Sequence, residues 1–74
     1  MNKRTAIRKL FEKPVVVTDP EGSLKGKLEN VGHNWYGLRR HVTHGAPIML
    51  VTFNLDDVAT VDPSSHTVHL NKVV

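Results

Sequence analysis

The sequence predicts a small, mainly β domain led by a short N-terminal helix, and three observations carry that expectation. Apolar residues recur at helical spacing near the N-terminus, at Ala6, Ile7, Leu10 and Phe11. From Val15 onward the chain breaks into short β-branched or alternating runs, separated by Asp, Asn, Gly and Pro. With 74 residues, 39% of them hydrophobic, there is room for one small domain and not for two.

The elements follow in order. The amphipathic pattern predicts a helix over 5–11 with its basic residues on the outer side. Pro14 ends it, because the residue before a proline is pushed out of the helical region. The β-branched run 15–18 is a strand, closed by Asp19-Pro20-Glu21-Gly22. There the Asp leads, the Pro presets φ and the Gly completes a tight turn. The run 23–30 alternates inward and charged outward residues and carries Gly26 at an inward position, where a strand without a side chain can bend sharply. Val31-Gly32-His33 is a second turn, 35–40 a third strand ending in Arg39-Arg40, and 41–47 a loop containing Gly45 and Pro47. The segment 48–53 is a fourth strand, 54–57 a turn and 58–61 a fifth strand. The domain is therefore expected to occupy 1–63, leaving 64–74 as a tail that forms an extra edge strand or ends in partial order.

Composition excludes several classes. Without cysteine, disulfides and cysteine-ligated zinc are absent. Apolar runs fall far short of the roughly 20 residues that cross a bilayer, and Met1-Asn2-Lys3-Arg4 leads into no apolar segment, so no membrane association and a cytoplasmic location are expected. His41 with His44 and His66 with His69 are spaced by three, which on a strand or loop does not place both on one face. They read as solvated side chains, and no metal or cofactor is expected. Ser-His-Asp, paired-carboxylate and phosphate-loop signatures are missing, and Asp56-Asp57 reads as a turn, so no catalytic residues are assigned and the chain is expected not to be an enzyme.

The charge is concentrated. Residues 1–13 carry Lys3, Arg4, Arg8, Lys9 and Lys13 against Glu12, whereas the rest of the chain has five cations and six carboxylates. A basic segment on a near-neutral body is suited to phosphate, although a merely solvated helix has the same composition. Ile48, Met49, Leu50 and Val51 raise a separate point, being apolar on both faces of one strand in a domain with a single interior. Either the helix covers the second face or a neighbouring subunit does. Pairing of this strand with the edge formed by Val58 and Val61 of another copy is heterologous, and if it closes it forms a ring.

These features resemble the Sm/LSm-like family, with the bacterial Hfq branch nearest. The resemblance runs through Lys13-Pro14-Val15-Val16-Val17, Glu21-Gly22-Ser23-Leu24-Lys25-Gly26-Lys27-Leu28-Glu29 and Val58-Ala59-Thr60-Val61-Asp62-Pro63, and spans roughly residues 6–63. It implies an SH3-like small barrel of five strongly bent antiparallel strands. It also implies fourth-to-fifth strand pairing into a ring of five to seven subunits, and binding of single-stranded RNA. A divergent, phage-type member is the form suggested. The family's first motif falls on Gly32-His33-Asn34-Trp35-Tyr36, which lacks the acidic residue; its second falls on Asn54-Leu55-Asp56, which lacks the basic one. The candidate RNA contacts are therefore Lys3, Arg4, Arg8 and Lys9 for phosphates and His33, Asn34, Trp35 and Asn54 for bases. Trp35 is either a stacking platform or filling for the core or a subunit seam. The alternative function is a structural or protein-interaction ring that has lost RNA recognition.

Overall fold

The computed structural model describes residues 2–41 and 48–73. Helix α1 (Lys3–Arg8) leads into β1 (Pro14–Asp19), β2 (Gly22–Gly32), β3 (Trp35–His41), β4 (Ile48–Asn54), β5 (Val58–Asp62) and β6 (Thr67–Leu70), with a 3-10 turn at Leu55–Asp57. All six strands join one sheet in the order β4-β3-β2-β1-β6-β5, antiparallel throughout except where β6 runs parallel to β1. Of the loop expected at 41–47, residues 42–47, including His44, lie outside the described residues.

The helix starts and stops earlier than its apolar spacing suggests. Asn2 is the N-cap, its Oδ1 accepting from the Thr5 amide at 2.8 Å, so the first turn begins at Lys3. After Arg8 the bonds shorten to the three-residue kind, Leu10 N–H to Ile7 C=O at 2.9 Å and Phe11 N–H to Arg8 C=O at 3.4 Å. Glu12 then takes a left-handed φ of 65° and leaves the helix. Leu10 and Phe11 still reach the core from this tightened exit, Leu10 fully buried and Phe11 packed against it.

In the first turn the Asp19 carboxylate accepts from the Glu21 and Gly22 amides at 2.8 and 3.0 Å, which holds the β1–β2 hairpin as its sequence leads one to expect. Gly26 pairs with the buried Val15 and so lies on the inward side. A Cβ there would sit 2.5 Å from the Arg39 carbonyl oxygen. The backbone of β3 thus occupies the space a side chain at 26 would need, and the two strands can close over the core only with glycine at this position. The core gathers Ile7, Leu10, Val15, Val17, Leu28 and Leu38 with the ring series Phe11–Tyr36–Phe53, whose successive centroids are 5.9 Å apart.

The C-terminal segment departs from expectation. Five antiparallel strands were expected, with the tail at most an edge; the sheet has six, and β6 sits inside it between β1 and β5. Val68 is fully buried in the common core and Leu70 nearly so. The turn before it is held by Asp62, which accepts from the Ser64 amide and hydroxyl. His66, at a left-handed φ of 52°, accepts from the Val16 amide through its carbonyl at 2.9 Å, and its ring Nδ1 donates to Pro14 C=O at 3.1 Å. His69 Nδ1 lies 2.9 Å from Thr18 Oγ1. His66 and His69 therefore fasten β6 to β1 and are not simply solvated. Because β6 holds the flank of β1, β5 does not pair with β1, and the sheet ends at β4 and β5 without closing.

Replacing Gly26 with Ala should lower stability by ~1 to 3 kcal/mol, because the new methyl meets backbone that cannot step aside. Chemical denaturation checks this, with the midpoint falling and the slope unchanged.

Candidate nucleic-acid interface

Arg4 and Arg8 stand four apart on α1 and so share one helix face. That face looks toward the turn joining β2 to β3. The β2–β3 register slips between Asn30 and Gly32, and a bulge of this kind re-aims the side chains beside it. His33 and Asn34 then turn the chain, Asn34 at a left-handed φ of 60°, a conformation asparagine tolerates better than most residues. The turn is anchored from both sides. Asn30 Nδ2 donates to the carbonyls of Gly32 and Trp35 at 3.1 and 3.3 Å, and the Leu55 amide donates to Asn34 C=O at 2.8 Å.

Helix face and turn enclose a cavity of about 540 Å³. Arg4, Arg8 and Phe11 line it from the helix side, and Asn30, His33, Asn34 and Tyr36 from the sheet side. No carboxylate lines it, and neither arginine is in an ion pair among the described residues. Phe11 is half-buried, whereas Tyr36 is almost wholly buried. The Oδ1 of Asn34 is buried and accepts no hydrogen bond.

Four of the eight residues expected to bind RNA thus come together: Arg4, Arg8, His33 and Asn34. The other four do not join them. Lys3 turns to the opposite side, its ammonium donating to Val58 C=O at 2.8 Å, and Lys9 is exposed away from the cavity. Asn54 is a cap, with Oδ1 accepting from the Asp56 amide at 2.8 Å and fixing the 3-10 turn. Trp35 neighbours Tyr36 in β3 and so faces the other side of the sheet. It is 46% exposed and lines a separate cleft of about 220 Å³ with Thr52, Leu70 and Lys72, so it does not fill the core. Asn30, Gly32, Phe11 and Tyr36 are the cavity residues that the sequence did not single out for binding. The tightening of the helix after Arg8 brings Phe11 to the cavity, and strand alternation from the buried Leu28 brings Asn30, opposite Tyr36.

Three other cations are engaged elsewhere, while Arg40 has a buried Nε that donates to no acceptor among the described residues. Arg39 makes two bonds of 2.8 Å to the Glu29 carboxylate, and these hold that carboxyl below its ordinary range against the opposing effect of burial. Lys27 pairs with Glu12 at 2.8 Å and Lys72 with Asp57 at 3.5 Å.

Of the residues expected at a subunit interface, Ile48, Met49 and Leu50 are 49, 45 and 41% exposed on the free edge strand β4, since α1 packs on β5 and leaves them uncovered. Val51 and Val61 are half-buried, while Val58 points into the core, with its amide bonded to Leu55 C=O and its carbonyl to the Lys3 ammonium. Among the described residues no helix is long and apolar enough to cross a membrane, and no cluster of His, Asp or Glu is placed to hold a metal ion. No family model matches the chain, and no significant match links it to a curated protein or to a solved structure.

Proposed function

We propose that this chain is a non-enzymatic, Sm-like module that binds single-stranded RNA. The observation that carries the reading is the carboxylate-free cavity in which two unpaired guanidiniums, a half-buried phenylalanine and a polar turn meet. Guanidiniums suit the phosphates of a strand and open aromatic faces suit its bases. Without paired carboxylates or a metal cluster around the cavity, binding is the role this set of groups fits best. Two features favour the Sm-like part: the inward glycine where β2 closes over the core, and the fact that the two free edges are the fourth and fifth strands. In this reading β6 is an addition lodged between β1 and β5.

The second reading, a structural or protein-interaction ring without RNA recognition, draws on Asn54 and Asp56. Asn54 is spent on a cap and Asp56 is an exposed carboxylate, where a phosphate-binding loop would carry a cation. Binding of short single-stranded RNAs at two salt concentrations decides between the two. On the RNA reading, replacing both Arg4 and Arg8 with Gln weakens binding about equally for all sequences. The log-log salt slope falls by about 0.7 for each phosphate no longer neutralised. Unchanged affinity after both replacements leaves the protein-interaction reading.

In this reading Phe11, which lines the cavity, is the stacking platform in place of Trp35, which does not. Phe11→Leu, which keeps an apolar side chain against the core, should cost roughly tenfold in RNA affinity, within the ~1 to 3 kcal/mol that one stacked base contributes. Trp35→Leu should leave affinity unchanged, and Trp35 fluorescence should not respond to RNA.

Self-association is the second part of the proposal, with β4 of one copy pairing to β5 of the next in a closed ring. Alternate amides of an edge strand point away from the sheet, so of Met49→Pro and Leu50→Pro one blocks the neighbour and the other disturbs the β3–β4 ladder. Sedimentation should show a closed oligomer for the natural chain. The proline variant that keeps its fold should sediment as a monomer.

A further inference from the structure

Resting on the ring reading, we infer that Lys3 is a latch on the β5 edge: its ammonium holds a carbonyl that the β4 strand of a neighbouring copy would need, so copies join only as Lys3 lets go. The direction of that carbonyl follows from the backbone. Asp57 C=O accepts from the Asn71 amide at 3.0 Å and so points toward the end of β6. Val58 is extended, with φ −84° and ψ 118°, and successive carbonyls of an extended chain point to opposite sides. Val58 C=O therefore points away from β6, toward the free edge of the sheet. There the Lys3 ammonium donates to it at 2.8 Å, across 55 positions of sequence.

The two outward groups of Val58 are held differently. Its amide donates to Leu55 C=O and closes the 3-10 turn, a bond within the backbone itself. Its carbonyl is held by the tip of a lysine, whose flexible stem can swing into water with no movement of the backbone. A neighbour's amide would approach the same oxygen to about 2.9 Å, where the ammonium now stands, so the two compete for it. Lysine is a common device for keeping a sheet edge from pairing, and here it reaches the edge from the first turn of α1. On β4 no charge, proline or bulge plays this part, and Ile48, Met49 and Leu50 lie exposed. One edge is open and the other latched, so β5 sets how readily copies join.

Sedimentation of the intact chain over a dilution series gives the concentration at which half the copies are assembled. Lys3→Met, which keeps the apolar stem and removes the ammonium, should lower that midpoint at least about tenfold, because a hydrogen bond from a charged donor no longer has to be broken. Lys3→Ala repeats the comparison without the stem and should shift the midpoint the same way. Lys3→Arg can still donate to the carbonyl and should keep the natural midpoint. Lys9→Met removes the same charge from an exposed position at the end of α1 and should also leave it in place. An unchanged or raised midpoint in both Lys3→Met and Lys3→Ala overturns the latch and leaves the ring reading standing. So does an equal shift in Lys9→Met, which would make the effect one of net charge, and so does a natural chain that stays assembled at the lowest concentration. Assembly that stops at a dimer in every variant assigns the interface to β4 alone and overturns both. Chains that never assemble, natural or variant, overturn the ring reading and the latch with it.

Discussion

Two backbone hydrogen bonds decide where the functional groups of this protein sit. The Glu12 amide donates to Leu28 C=O at 2.8 Å, and the Leu28 amide donates to Lys13 C=O at 3.2 Å. They lock the exit of α1 onto the middle of β2, at a residue that is itself fully buried. Glu12 can present its amide there only by adopting a left-handed φ of 65°, so the helix has to end where it does. With its exit fixed, α1 has one position available over the sheet. Arg4 and Arg8 then face the 32–34 turn, and Lys3, one residue before Arg4 and so rotated about 100° around the helix, faces β5. The composition of the cavity is a geometric consequence of this joint and of the helical period.

Periodicity displayed the helix, the first five strands and the inward glycine, because each is a local pattern. It could not display β6. Thr67-Val68-His69-Leu70 is four residues long and joins the sheet by parallel pairing to a strand about 50 positions earlier, along a register of three residue pairs. Nothing local in those four residues announces such a partner. The same distinction runs through the site. Arg4 and Arg8 were visible as charge, and His33 and Asn34 as turn residues. Lys3 looked equivalent to Arg4 until a backbone carbonyl 55 residues away claimed its ammonium. Asn30 read as the end of an alternating strand, and only the register slip beside it gives its amide two carbonyls to satisfy. Phe11 read as packing, and it does pack against the core, while the tightened exit of the helix after Arg8 also sets it at the cavity's edge.

The exposed apolar segment of β4 stands in contrast to this close fit of helix and sheet. A chain of this size buries only about 60% of the surface that its unfolded state exposes, so apolar surface left uncovered on an edge is a large share of what remains to be gained. Ile48, Met49 and Leu50 occupy consecutive positions of an edge strand paired on one side only, which presents side chains on both faces. Natural edges of this kind are usually blunted by charge, proline or a bulge, and β4 has none of the three from Ile48 to Asn54. The β5 edge is better guarded, by α1 packed against it, by the Lys3 bond to Val58 and by the register slip beside Ala59.

The assembly and the ligand binding proposed for this chain would therefore draw on separate parts of the same sheet. The groups suited to phosphate and base lie over β2 and β3 beneath α1, and the uncovered apolar residues lie along β4. Neither Ile48, Met49 nor Leu50 lines the cavity, so covering that edge removes no cavity residue from solvent. The cations and the apolar strand have no shared partner, and substitutions in one are expected to act independently of substitutions in the other. Repetition of the cavity around an assembly would raise the effective concentration of binding sites along one RNA strand, so that a half-open pocket with modest affinity for a single nucleotide could hold a longer strand firmly. On the proposed reading, a marginal domain with one exposed apolar edge and one small cationic pocket would gain stability from association and affinity from repetition, by the same event.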